Sequence, residues 1–222
     1  MIDAVIFDLD GVLIDSEGVW NAARRALTLE QGGKWSEDAP RAMMGMSSIE
    51  WSTYMHDALE VDLPPEEISQ AVVARLEELY RERLPLLPGA REGVGRLARR
   101  WPLGLASSAN RQIIELVLDL AGVRSLFAAT VSSEEVARGK PAPDVYLEAA
   151  RRLDLPPTTC AAIEDSTNGL LAAAAAGMTV IAVPNREFPP REGALSLASA
   201  VLGSLAELEP GLIVELGARS GS

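Results

Sequence analysis

The chain has 222 residues, 48% of them hydrophobic and 23% charged, with a formal net charge of −12. A surface this acidic repels nucleic acid and anionic lipid, both of which reward basic patches, and no apolar run reaches the ~18 residues that a membrane span needs. The start has no basic segment and meets Asp3 and Asp8 early, so no signal peptide is expected; the single cysteine, Cys160, excludes an internal disulfide and fits a reducing compartment, with the cytoplasm as the expected location. Nothing demands more than a monomer. The same charge would repel an anionic substrate, so a site for one has to supply local positive charge from a metal or a lysine.

The first signal is a short apolar run at 4–9, of the kind found in a strand buried on both faces. Helices follow at 16–31, after candidate caps at Ser36 and Ser48, and from Pro64-Pro65-Glu66-Glu67, whose acids favour a first turn. From residue 88 helices alternate with apolar runs. A helix at 91–99 follows Pro88-Gly89, and a strand is expected at 103–107. A helix at 112–121 ends on Gly122, ahead of a strand at 128–132. A helix at 143–153 begins on a proline and leads to a strand at 161–164. The helix at 166–176 has Ser166 as its cap and Gly177 as its C-terminal glycine, and a last strand lies at 179–183. Such alternation implies right-handed crossovers and a doubly wound parallel α/β sheet. The helical block at 15–87 is too long for a loop. It is expected to be an inserted all-helical cap on a core made of 1–14 and 88–222, with the tail at 218–222 frayed.

Ligands of open α/β sheets bind at the carboxyl ends of the strands. Residues expected there are Asp8 and Asp10 after the first strand, Ser107 and Ser108 after the second, and Glu164 and Asp165 after the fourth, with Lys140 in Gly139-Lys140-Pro141 between. Four carboxylates so placed repel one another by several kcal/mol per pair at moderate dielectric. One lysine cannot balance them, least of all with a phosphate present, whereas a hard divalent cation with oxygen ligands can; Mg²⁺ is the expectation. Each residue also has a plainer reading. Two acids ending a buried strand could be solvent-facing, Lys140 could be a solvated loop lysine, and Ser107 could satisfy a strand-end backbone group. Asn110 and Asn168 read as caps or turn residues, His56 as a surface residue of the cap, and Cys160 as a small core residue.

Asp8-Leu-Asp10-Gly-Val, a strand ending in Ser107, Gly-Lys140-Pro and Glu164-Asp165-Ser-x-x-Gly resemble, in order, the four motifs of the haloacid dehalogenase superfamily. The helical block resembles that superfamily's inserted cap. The resemblance spans nearly the whole chain and implies a phosphatase. In that reading Asp8 is the nucleophile that forms an aspartyl-phosphate, and Asp10 is the acid and then the base. Asp8, the Asp10 carbonyl and Asp165 hold Mg²⁺, with Glu164 acting through water or on Lys140. Lys140, Ser107 and the Ser108 amide bind the phosphoryl oxygens.

Asp10 argues against dehalogenation, since a leaving halide needs no proton. The β-phosphoglucomutases of the superfamily carry a cap histidine where this chain has Trp20 and an arginine where it has Ser48, so hydrolysis is favoured over mutation. Asp15-Ser16-Glu17-x-x-Trp20, Leu86-Leu87-Pro88-Gly89 and Gly104-Leu-Ala-Ser-Ser108 look like the sugar-phosphate phosphatases of this branch; phosphoglycolate phosphatases share much of the pattern. Trp20 is read either as cap packing or as facing the substrate. The cap loop Met44-Gly45-Met46-Ser47-Ser48, with Gly45 and Ser47 as specificity positions, is expected to close over the leaving group on hinges near 13–16 and 83–88. Two readings outside hydrolysis stand beside this one. A phospho-accepting receiver domain would place its aspartate after the third strand and lack a cap. A regulatory protein could bind a phosphometabolite without turning it over.

Overall fold

The apolar run after Asp3 forms β1 (Ala4–Phe7), all four residues buried, in a computed structural model that describes residues 1–44, 46–185 and 189–219. The other strands are β2 (Leu103–Ser107), β3 (Phe127–Ser132), β4 (Cys160–Glu164), β5 (Thr179–Ala182) and β6 (Ala200–Val201). They form one sheet in the order β3-β2-β1-β4-β5-β6, and every pairing is parallel. The order reverses at β1, which pairs Phe7 with Leu105 of β2 on one side and with Ile163 of β4 on the other. The carboxyl ends of β1, β2 and β4 therefore meet at the switch point of the sheet, where such folds open a crevice.

Between β1 and β2 lie α1 (Glu17–Glu30), α2 (Ala39–Met43), α3 (Ser48–Asp57), α4 (Pro65–Glu82) and α5 (Ala90–Ala98), followed along the chain by α6 (Arg111–Ala121), α7 (Asp144–Arg152), α8 (Thr167–Ala175), α9 (Glu192–Leu195) and α10 (Pro210–Arg219). Helices α5, α6 and α10 cover one face of the sheet in a buried cluster that continues into α1, α3 and α4; α7, α8 and α9 cover the other face. The alanines of α8 let it sit close on the sheet, with Ala172 and Ala173 fully buried.

The inserted helical block joins the core by two strands of chain lying side by side. The Asp15 amide donates to the Pro85 carbonyl at 2.8 Å and the Leu87 amide to the Leu13 carbonyl at 3.0 Å, around an antiparallel bridge of Ile14 with Leu86. Two caps differ from expectation. Asp38, not Ser36, precedes α2, and the Ser36 hydroxyl accepts from the Asp38 amide instead. Ser47, not Ser48, caps α3: Ser47 Oγ accepts from the Glu50 amide and the Glu50 carboxylate accepts from the Ser47 amide, a capping box.

The tail also differs from expectation, because Ala218 and Arg219 complete α10. There Gly217 lies so close to the Ile2 amide that a Cβ would come within 2.8 Å of its nitrogen. Docking against the chain start holds the last turn, while 220–222 lie outside the described residues. The strand β6 has two residues, too few for an alternation pattern to register in sequence.

Candidate active site

The chain leaves β1 through Asp8, whose amide still donates to the Ile163 carbonyl at 3.0 Å, and then turns back sharply at Gly11. Gly11 has φ +76°, and a Cβ there would stand 2.0 Å from Asp165 Oδ2. Only glycine lets the β1 loop pass so close to the carboxylate that ends β4. Gly169 plays the matching part in α8, where a Cβ would fall 1.9 Å from the Glu164 carboxylate. The Ser166 hydroxyl caps α8 by accepting from the Gly169 amide at 3.0 Å, as the sequence predicts. The glycines of both acidic motifs are thus demanded by the close approach of β1, β4 and α8.

Glu164 is fully buried and densely partnered. Its Oε1 accepts from Lys140 Nζ at 2.5 Å and from the Tyr146 hydroxyl at 2.7 Å; its Oε2 accepts from the amides of Asp165 and Ser166 and from Ser166 Oγ. Lys140 Nζ also lies 2.9 Å from Asp8 Oδ1, an ion pair not aligned as a hydrogen bond, so that buried oxygen lacks a hydrogen-bonding partner. Burial, with help from Glu164 and Asp10 and against the pull of Lys140, raises the Asp8 carboxyl to about 8. Burial and the neighbouring Glu164 and Asp8 carboxylates hold Asp165 well above the usual range. Burial acts to lower the Lys140 ammonium, but Asp8 and Glu164 more than reverse it, so Lys140 stays charged.

Asp8, Glu164 and Asp165 each offer an oxygen within 4.8 Å of the others, all buried. This fits a small divalent cation, whose oxygen ligands stand ~2.1 Å from the metal and hence up to ~4.2 Å apart. Three buried acids facing one lysine, with an Asp8 oxygen held by an ion pair but by no hydrogen bond, are the donor set such an ion satisfies. Because Glu164 already holds Lys140, Tyr146 and three loop donors, Asp8 and Asp165 are the acids with oxygens to spare.

A pocket of about 70 Å³ opens above these groups, between sheet and helical block. Asp8, Asp10, Lys140, Asp165, Ser108 and Trp20 all line it, so the structure brings most of the sequence-predicted residues to one place. Trp20 is both cap core and pocket wall, and its indole Nε1 donates to Asp10 Oδ1 at 3.1 Å. Ser107 is buried behind the wall, its Oγ accepting from the Ala109 amide at 3.0 Å, whereas Ser108 faces the pocket with an unpartnered hydroxyl. Ser47 spends its hydroxyl on the α3 cap and does not line the pocket; Gly45 lies outside the described residues. Asn110 precedes α6 and donates to Glu134 at 2.7 Å; His56 is exposed and Cys160 buried.

Sequence reading missed Arg24, Trp51 and Met43 on the cap side of the pocket, whereas Met44 and Met46 belong to the loop expected over the leaving group. Arg24 alone carried a usable signal, standing four residues beyond Trp20 on the same helix face. The place of Trp51 and Met43 on the wall depends on how α2 and α3 pack against α1.

A family model described as haloacid dehalogenase-like hydrolase matches residues 2–177. Hexitol phosphatase B of Escherichia coli (strain K12) is 38% identical over 210 residues, covering 92% of this chain and 93% of the relative. Among solved structures, CbbY from Rhodobacter sphaeroides in complex with phosphate has a TM-score of 0.83 at 28% identity, covering 94% of this chain and 96% of that one. β-Phosphoglucomutase from Clostridium difficile has a TM-score of 0.84 at 25% identity, covering 99% and 98%.

Proposed function

The chain belongs to the haloacid dehalogenase-like hydrolases, and from that premise we propose that it is a Mg²⁺-dependent phosphatase of small sugar or polyol monophosphates that works through an aspartyl-phosphate on Asp8. The observation that carries the reading is the buried set of Asp8, Lys140 and Asp165 beneath a pocket that also presents Asp10. Asp8, Asp165 and the Asp10 carbonyl would hold Mg²⁺, with Glu164 acting on Lys140 and through water. The ion would supply positive charge to an otherwise acidic site and keep Asp8 ionised.

In the first step an Asp8 carboxylate oxygen attacks phosphorus, the phosphorus–ester oxygen bond breaks, and Asp10 gives its proton to the leaving alcohol. In the second, Asp10 takes a proton from water, the water oxygen bonds to phosphorus, and the Asp8–phosphorus bond breaks to release inorganic phosphate. Trp20 holds Asp10 in place by donating to its Oδ1. Lys140 supports the charge on the phosphoryl oxygens, and Ser108, which lines the pocket, supplies donors through its amide and its hydroxyl, while Ser107 braces that loop from behind the wall.

The block at 15–87 is proposed as a cap that closes on the hinge pair 13–15 and 85–87 and shuts bulk water out. The pocket lies between the sheet and the helical block, walled on the cap side by Trp20, Trp51 and methionines, which suits a compact substrate rather than a nucleic acid. No helix among the described residues is long and apolar enough to cross a membrane. A cytoplasmic monomer acting on a free metabolite belongs to the same proposal, supported by the net charge of −12 and the single cysteine.

The sugar and polyol substrate class rests on the likeness to hexitol phosphatase B. Mutation of a sugar phosphate is the weaker reading. Trp20 spends its N–H on Asp10 and Ser48 its hydroxyl on Glu134, so neither offers a second phosphate a charge. The test is phosphate release from a panel of hexose phosphates, hexitol phosphates, phosphoglycolate, nucleotides and β-glucose-1-phosphate. Release should need Mg²⁺, stop with EDTA, and fall by on the order of 10⁴ or more in Asp8→Asn. Metal-independent release, or release that survives Asp8→Asn, would overturn the reading. Isomerisation of β-glucose-1-phosphate without release would establish the mutase instead.

A further inference from the structure

One helical turn beyond Trp20, about 6 Å along α1, Arg24 lines the same pocket. It is only 6% exposed, and its guanidinium carbon lies 4.6 Å from the Trp20 ring centre and 4.9 Å from that of Trp51. The two indoles meet edge to face at 5.9 Å, and the guanidinium packs into the corner they form. Among the described residues Arg24 forms no salt bridge, and its Nε has no hydrogen-bond partner. A buried arginine is usually paired. Burial lowers its pKa to about 10 against the opposing pull of Glu17 and Asp10, which leaves it charged at neutral pH. A cation held rigidly in a pocket wall with a donor to spare is a binding group without its ligand.

We propose that Arg24 is the specificity-determining anchor of the substrate tail, donating hydrogen bonds to hydroxyl oxygens of an uncharged polyhydroxylated chain whose phosphate sits at Asp8 and Lys140. The inference rests on the phosphatase reading and adds the residue that selects the tail. Charge decides the class of tail. Among the described residues the buried acids Asp8, Glu164 and Asp165 stand against Lys140 and Arg24, so a bound divalent cation brings the site close to balance before substrate enters. The substrate phosphate then makes the site anionic, and a second anionic group would add to that surplus. Neutral hydroxyls take the free donor without added charge, and the indole and methionine walls suit the carbon chain between.

The test compares wild type with Arg24→Met and Arg24→Lys on three Mg²⁺-dependent reactions, the hydrolysis of a hexitol 6-phosphate, of 6-phosphogluconate and of p-nitrophenyl phosphate. The expected result is that Arg24→Met lowers kcat/KM for the hexitol phosphate by about 10–100-fold, mostly through KM, as for a lost hydrogen bond to a charged donor. Hydrolysis of p-nitrophenyl phosphate, which lacks hydroxyls, should change by less than about threefold, and Arg24→Lys should recover part of the loss. Equal losses on all three substrates would reduce Arg24 to a packing residue and overturn the proposal. Wild-type preference for 6-phosphogluconate, erased by Arg24→Met, would overturn the neutral tail. If Arg24→Met does not fold, Arg24→Gln is judged by the same selectivity pattern. Wild type inactive on every substrate would sink the phosphatase reading and this one with it, whereas an active wild type with an unselective Arg24→Met sinks only this one.

Discussion

Lys140 and Tyr146 converge on one oxygen of Glu164, and this removes Glu164 from the competition for metal while it fixes the ammonium beside Asp8. The remaining acids stay costly to ionise, with Asp8 raised to about 8 by burial first and by its acidic neighbours next. A carboxyl with a raised pKa keeps its proton at neutral pH until something outbids the proton, and a divalent cation bound there must displace it. Mg²⁺ affinity should therefore rise with pH between 6 and about 8 as Asp8 gives up its proton, with the raised Asp165 carboxyl adding to the rise. Calorimetric titrations in buffers of different ionisation enthalpy should show proton release on binding at pH 7 that diminishes as the pH is raised through about 8. Affinity unchanged from pH 6 to 8 would contradict the protonated Asp8.

Single elements tie the helical block to the core. Glu134, in the turn after β3, accepts from Ser48 Oγ at 3.2 Å, from Asn110 Nδ2 at 2.7 Å and from the Arg111 amide at 2.9 Å. Ser48 opens α3, and Asn110 and Arg111 open α6 just after pocket-lining Ser108, so one carboxylate clamps the cap to the loop beneath it. The Lys140 loop makes a second approach to the cap at Gly139, where a Cβ would stand at an ordinary contact distance of 3.5 Å from Ser47. Glu134 is exposed, which keeps the clamp weak and reversible. In a double-mutant cycle in urea, Ser48→Ala and Glu134→Gln should couple by about 0.5–1 kcal/mol. Both should raise KM more than they lower kcat. Additive effects would mean that the contact does not report on closure.

Across the whole molecule, acids brought together at the switch point are a liability of the metal-free fold. A ligand that binds only the folded state stabilises by about 2.7 kcal/mol at a hundred times its Kd. For a chain of this size that amounts to a Tm rise of about 5–10 °C. Mg²⁺ should give a shift of that order at about pH 8, and Asp8→Asn and Asp165→Asn should each lose most of it. Thermal unfolding with Mg²⁺ and with EDTA measures this directly, and a shift of equal size in both variants would place the ion elsewhere.

The alternation of apolar runs and capped helices determines the doubly wound sheet, because strands buried on both faces and helices with marked ends leave few alternatives. It also determines the cluster of Asp8, Asp10, Lys140, Glu164 and Asp165, since strand ends fix where their side chains meet. The short β6, the last turn of α10 and the change of cap from Ser48 to Ser47 depend on contacts distant in sequence, which no local pattern encodes. Only the tertiary structure puts Ser107 behind the pocket wall and Ser108 on it. Only the tertiary structure sets Arg24 against two tryptophans of different helices, because a helix face is legible in sequence but its neighbour is not.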